Sequence, residues 1–460
     1  MKTLLIPFLV WLAILGHPPS ANARPCPQSK GENFIQSIGA SGICQVVPVA
    51  AHVVSTSAAL AAVPENWPRW RGPLDNGSAE SGTYPVKWDA NSGLLWKTPL
   101  PGKGCSTPIV WDKRIYLTAP VAGEDAVLAF DWSGKPLWQT TLGKEIAGKH
   151  GNGSGSNPSP TTDGHGIFVC FKSTTLAALD LDGKLRWKTN LQERFVKLDL
   201  FWDACVSPVL TTHDVVVAVL HHGDSYLAAF DKSTGELHWK VARNYKTPTE
   251  GDHGYATPLL IQHEGREALL VWGGQHLTAH AAVDGKLLWD CADFNPDATD
   301  NWPAVASPVV VDGIAIVPYG RGNRLHAIRL GGSGDVTASH RIWQQLDTGS
   351  FVPTPAASGG RIYLLRDRGQ IECIDPVSGK TWWRGKLPNQ NGSFYASPTV
   401  ADGKLYAVSE DGIVFVVRLG APLEILSQNI MAEQIIASPV PVAGRLLLRG
   451  VKHLFCVGSD

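Results

Sequence analysis

The chain is poor in charge and in methionine. Only 18% of its 460 residues are charged, and there are two methionines against seventeen tryptophans. With a formal net charge of −1, no global electrostatic footprint for nucleic acid or an anionic membrane exists. No apolar run approaches the ~20 residues that a membrane-spanning helix needs. No Cys-x-x-Cys occurs, which removes a zinc ribbon and a c-type haem site. Gly-x-Ser-x-Gly and His-Glu-x-x-His are also absent, and Gly332-Ser333-Gly334-Asp335 lacks the strand and helix context of a phosphate loop. His221-His222 has no further ligands at metal-binding spacing, and the stretch Asp297 to Asn301 lacks the Gly and distal Glu of a calcium loop.

What the chain does have is turn formers and apolar residues: 47 Gly, 32 Pro and 44% hydrophobic residues. That suits a folded protein with many turns and a sizeable core. At the front, Lys2 precedes the apolar run Leu4 to Leu15, and Ala21-Asn22-Ala23 supplies small residues for cleavage. Residues 1–23 therefore read as a signal peptide. Ala59-Leu60-Ala61 is a fallback cleavage site, and residues 24–64 read as a linker without a fold of its own. Export permits disulfides, and Cys26 and Cys44 could pair within that linker. The other six cysteines are expected to behave as small buried hydrophobes.

One two-residue anchor recurs along the rest. Thr107-Pro108, Ser159-Pro160, Ser207-Pro208, Thr257-Pro258, Ser307-Pro308, Thr354-Pro355, Ser397-Pro398 and Ser438-Pro439 follow one another with prolines 41–52 residues apart. After each anchor comes an apolar strand, a turn and a second strand, as in Val309 to Val311, Asp312-Gly313 and Ile314 to Val317. A third strand then leads into an Asp- and Gly-bearing turn, as in Asp231 to Gly235, where Asp bonds the backbone ahead and Gly supplies positive φ. A Trp closes most copies: Trp138, Trp187, Trp239, Trp289, Trp343 and Trp383.

Four short antiparallel strands per unit of this length predict an all-β, eight-bladed β-propeller over residues 65–460. The prolines fall at the start of the innermost, edge strand of each blade, where no ladder donor is lost. The eighth unit stops one strand short, and Leu94-Leu95-Trp96-Lys97 stands at the front without a unit of its own. The expectation is that this N-terminal strand completes the last blade and closes the ring.

The pattern Asp-x-x-(Ser/Thr)-Gly-x-x-x-Trp, as in Asp231 to Trp239 and Asp375 to Trp383, resembles the repeat of pyrroloquinoline-quinone-like propellers. The opening Trp67-Pro68-Arg69-Trp70-Arg71-Gly72-Pro73 with Asn76-Gly77 is similar to exported members of that family. The resemblance implies that the repeat Trp packs between neighbouring blades. It also implies one of three functions. One is a non-catalytic interaction scaffold of the BamB type, a propeller subunit of outer-membrane β-barrel assembly. Another is a quinoprotein dehydrogenase using pyrroloquinoline quinone (PQQ) with calcium. The third is a carbohydrate or metabolite binder. The adjacent-cysteine pair common in the enzymes is missing, and Asp203, Glu250, Asp252, Asp297 and Asp300 match no ligand motif residue by residue. The expected reading is an exported, periplasmic or extracellular monomer without a cofactor.

The links that lead into each anchor reach toward the channel of a propeller. Trp202, Asp203, His253, Tyr255, Trp302, Phe351 and Tyr395 all lie on such links. They are expected to converge on one funnel that takes a protein partner or a small polar ligand. N-terminal sequencing of the exported chain should begin at or near Arg24; a retained Met1 or a start near Ala62 would overturn the cleavage assignment.

Overall fold

The computed structural model describes residues 65–79, 82–89, 92–388, 392–420 and 422–458. The proposed signal peptide, the linker and Cys26 and Cys44 lie outside the described residues. Eight four-stranded antiparallel blades form an eight-bladed β-propeller, two of them extended by a short parallel strand. The first blade runs Ile109–Trp111, Arg114–Val121, Glu124–Asp131 and Pro136–Lys144, from channel to rim. The last consists of Val440–Val442, Arg445–Arg449 and His453–Val457, and Leu94–Pro99 pairs antiparallel with His453–Val457 as its outermost strand. Middle strands such as Tyr226–Asp231 and Ile314–Tyr319 are buried on both faces between neighbouring blades. This explains their unbroken runs of apolar residues.

The anchors form a closed circle of hydrogen bonds. The amide of Thr107 donates to the Ser159 hydroxyl, Ser159 to Ser207, Ser207 to Thr257 and Thr257 to Ser307. Ser307 donates to Thr354, Thr354 to Ser397, Ser397 to Ser438, and Ser438 back to Thr107. All eight distances are 2.9–3.2 Å. The residue types follow from this geometry. The anchor amide points sideways and has no ladder partner, so it needs a side-chain acceptor from the next blade. The following Pro has no N–H to satisfy.

On the rim side, each outer strand carries a bulge just before its Trp position. Five of these indoles donate to a turn carbonyl of the next blade: Trp96 to Trp132, Trp138 to Leu181, Trp187 to Lys232, Trp239 to Ala282 and Trp343 to Pro376, at 2.9–3.2 Å. Trp289 is buried with its N–H unpaired, because the fifth blade replaces the usual turn by a longer excursion. Within that excursion Gly334–Asp335 pairs parallel with the fourth blade's Leu287–Cys291, so this stretch is a strand and not only a turn.

The seventh blade has no repeat Trp, and the bulge places Ser427 in that register. The N-terminal segment fills the gap. Ser427 and Asn429 both donate to the Val86 carbonyl, and the Trp88 amide donates to Asn429 Oδ1. Trp88 is buried with Tyr406 and Val416 of the seventh blade and Val440 of the eighth.

Upstream, the same segment crosses the channel. Trp67 bonds Val110 of the first blade through both backbone groups, and the Pro68 carbonyl accepts from Thr162 of the second. On the far side Asn76 and Gly77 accept from Ala357 and Val400 of the sixth and seventh blades, and Ser78–Ala79 adds parallel to Thr399–Ala401. Between them the buried Arg71 guanidinium donates to the carbonyls of Pro355 and Pro398 at 3.0 and 2.9 Å. Gly72 and Gly77 take positive φ, and any Cβ there would collide with the Trp67 ring and the Arg71 guanidinium. The segment is thus a plug built to measure.

Trp96→Ala and Trp88→Ala should each cost about 3–5 kcal/mol in denaturant melts. Ser207→Ala should cost about 1–3 kcal/mol by leaving the Ser159 amide without an acceptor. Deleting residues 65–100 should destabilise the whole ring. Unchanged midpoints would deny these contacts their structural role.

Candidate functional site

In a four-stranded blade, the links between blades and the turn joining the second and third strands emerge on one face. On that face a cavity of about 840 Å³ opens above the plug. Its floor is the Trp70 indole, which donates to the Ser438 hydroxyl, ringed by anchor residues including Thr107, Ser159, Ser207, Thr257 and Ser397.

The second-to-third blade link supplies Trp202 and Asp203. Asp203 is buried and forms a 2.7 Å ion pair with the buried Lys172; its two oxygens also receive the Lys149 amide at 3.0 and 3.1 Å. Gly153 is required here, since a Cβ would fall 2.1 Å from Asp203 Oδ2. This pair fastens the loop that carries His150 to the next link. The His150 ring then lies tilted against Trp202 with centroids 4.2 Å apart, and Phe201 meets Trp202 edge-on at 5.1 Å. Phe201 is half exposed, so the cluster forms an aromatic knob on the rim.

Tyr255 is buried in the wall and accepts the Trp202 amide on its hydroxyl oxygen at 2.9 Å. Desolvation holds its phenol well above the usual range, so it stays neutral. Phe351 and Tyr395 line the opposite arc. Five of the seven residues singled out from sequence, Trp202, Asp203, Tyr255, Phe351 and Tyr395, therefore border one cavity. His253 does not. It lines a neighbouring pocket of about 730 Å³ together with Phe201, His222, Glu250 and Asp252. There its Nδ1 faces the Phe201 amide at 3.5 Å, and His222 pairs with Asp252 at 2.9 Å. Trp302 lies in neither lining. Asn301 has positive φ, and the Trp302 ring turns onto Tyr319 at 5.7 Å and beneath the Arg324 guanidinium at 5.5 Å.

The cavity also holds residues that the links alone did not suggest. Arg366, Asp367 and Arg368 come from the turn between Arg361–Leu365 and Gln370–Ile374, and Arg321 from the corresponding turn of the fifth blade. Their signal was topological: such turns share the face of the links. Asp367 accepts the amides of Phe351 and Val352 at 3.0 and 3.1 Å, and burial raises its carboxyl. Cys105 and Cys205 line the wall as free thiols. Burial pushes Cys205 up to about 12 and raises Cys105 too, so neither is a ready thiolate nucleophile.

A metal-bound quinone would need free carboxylate oxygens. The two carboxylates of the cavity stand in opposite arcs, and both oxygens of each are already engaged by backbone amides, with Lys172 on Asp203 as well. Asp297 is exposed beside Arg324, Asp300 accepts the Thr249 amide, and Glu250 and Asp252 border the other pocket. Among the described residues no group of three or more His, Cys, Asp or Glu is arranged to hold a metal ion. This donor set does not fit the calcium-quinone centre.

An eight-bladed ring of repeats closed by Trp contacts between blades places the chain among the PQQ-like β-propellers. The chain belongs to the family described as outer membrane protein assembly factor BamB, whose model matches residues 78–224, 203–340 and 333–419. Among solved structures it is similar to BamB from Moraxella catarrhalis, with TM-score 0.58 and 14% identity over 80% of this chain and 97% of that one. It is also similar to a europium-containing methanol dehydrogenase, with TM-score 0.63 and 13% identity over 86% and 91% of the two chains. The quinohemoprotein alcohol dehydrogenase of Comamonas testosteroni gives TM-score 0.61 and 14% identity over 88% and 82%. At these identities the likeness is one of fold. A comparison with curated proteins finds no match.

Asp125, in Glu124–Asp131 of the first blade, is a further buried carboxyl. It is fully buried, close to Glu145 and to the Ser173 hydroxyl. Burial pushes its carboxyl up to about 7, opposed by the nearby Ser173 hydroxyl and reinforced by the Glu145 charge. A carboxyl raised in the folded state stabilises the fold while protonated, and that contribution fades as pH rises through about 7. Wild type should lose roughly 1–4 kcal/mol between pH 5 and pH 8 from this group. Asp125→Asn should flatten the profile in pH-dependent urea melts; an unchanged slope would refute the assignment.

Proposed function

We propose that the chain is an exported, non-catalytic binding propeller of the cell envelope, which presents its funnel face to a partner or ligand. The observation that carries this reading is the funnel itself: a floor of Trp70 and the anchor ring, walls of Trp202, Tyr255, Phe351 and Tyr395, and the Phe201 knob at its edge. Rigid aromatics around a desolvated depression are the usual carriers of binding energy at recognition sites. Membership of the BamB family and the signal-peptide pattern support an envelope location and an interaction role. The non-catalytic part rests on chemistry: both funnel carboxylates are engaged by backbone amides and both thiols are held protonated, so neither kind of group stands ready as base or nucleophile.

Trp202→Ala combined with Tyr395→Ala should abolish capture of the partner or ligand that wild type retains, while thermal melting stays close to wild type. Central aromatics commonly contribute about 2 kcal/mol or more each. Unchanged capture, or a binding footprint on the opposite face, would overturn the reading. The dehydrogenase alternative is tested by adding PQQ and calcium and following dye-linked alcohol oxidation; turnover would overturn the non-catalytic assignment.

A further inference from the structure

The funnel is electrostatically lopsided. Its cations, Arg321, Arg366 and Arg368, all come from the fifth and sixth blades, while Trp202 and Tyr255 belong to links on the other side of the ring. On the aromatic side the only carboxylate in the lining, Asp203, is neutralised by Lys172. On the cationic side Asp367 is the only one, and its oxygens face two backbone amides. Arg366 shares Glu372 with Arg384 and donates to the carbonyls of Asp347 and Gly322. Arg321 and Arg368 have no carboxylate within ion-pair distance among the described residues. Arg368 is exposed at the cavity wall.

Arg321 is held in place deliberately. It is a non-glycine residue at φ 53, a conformation that side chains avoid. Its Nε donates to the Asn301 carbonyl at 2.7 Å, and its guanidinium lies 4.9 Å from the centre of the Phe351 ring. A cation fixed this way over an aromatic, in the same cavity lining as a second cation with no carboxylate of its own, keeps its positive charge for something that enters the funnel. Flat apolar surface lies across from it, at Trp70, Trp202 and Tyr255.

We infer that the funnel takes a small organic anion, with its carboxylate or other acidic group on Arg321 and Arg368 and a flat apolar body against Trp70 and Trp202. This rests on the funnel being the binding face. The cavity's 840 Å³ is in the range of sites for single small molecules rather than folded partners.

The test is calorimetric titration of the full exported chain with 2-naphthoate, 2,6-naphthalenedicarboxylate and their neutral amides. The acids should bind at least ~10-fold more tightly than the amides, a difference that shrinks with added salt. Arg368→Gln and Arg321→Gln should each lower the acid's affinity by about 10-fold and erase the preference over the amide. Arg368→Lys should retain part of it. Arg418→Gln, on the rim of the seventh blade, should change nothing. Equal binding of acid and amide, no binding of either acid, or affinities indifferent to both Gln variants would overturn the inference. If the acids fail while the Trp202–Tyr395 double variant still loses the partner that wild type captures, the funnel remains the binding face and only the anionic class falls.

Discussion

The circle of eight Ser/Thr hydroxyls around the channel is the constraint on which the remaining architecture rests. Each inner strand begins at a residue whose amide cannot find a partner in its own blade. An unpaired buried amide costs about 1–3 kcal/mol, so every blade depends on the hydroxyl of its neighbour. The dependence is cyclic, Ser438 returning to Thr107, so it is complete only when all eight blades are present. Proline beside each anchor removes the next donor and leaves its carbonyl available, and Arg71 uses two of those carbonyls. The inner circle and the outer Trp contacts hold each blade at two radii, which leaves little freedom for blades to tilt.

The N-terminal segment serves this ring in three places. Near Trp67 to Ala79 it crosses the channel and ties the first two blades to the sixth and seventh. At Tyr84 to Trp88 it covers the one blade whose outer strand carries Ser427 in the Trp register. At Leu94 to Pro99 it becomes the outer strand of the last blade. One stretch of about thirty residues thus meets an inner edge, an inter-blade gap and an outer edge. Buried strand edges and unpaired amides are costly wherever they occur, and this economy explains why the segment's motif is rich in Trp, Arg and Gly.

The plug also shapes the site. It crosses the channel below the cavity and delivers Trp70 to the cavity's lining. The wall chemistry then divides around the ring: beside the protonated thiols, engaged carboxylates and aromatics stand on both arcs, while the guanidinium groups stand on one. Aromatic faces and fixed cations of this kind supply affinity and orientation to a bound group.

Much of this was legible in the residues alone. The anchor spacing, the Asp/Gly turns and the Trp endings are local signals, repeated eight or nearly eight times, and repetition turns weak propensities into a fold. The convergence of Trp202, Tyr255, Phe351 and Tyr395 followed from their place on links that all face the channel. Other features could not be read locally. Trp302 carries the same positional signal as Trp202, yet the left-handed turn at Asn301 aims it at Tyr319. Arg321 and Arg368 sit inside blades and meet the links only through the up-and-down direction of the strands. Trp88 stands some 340 positions from the Ser427 and Asn429 environment it completes. The repeating unit is written in the chain, because strand period and turn chemistry act over a few residues. The hydroxyl circle, the plug and the charge of the funnel are not, because each arises from groups that have no contact until the ring is formed.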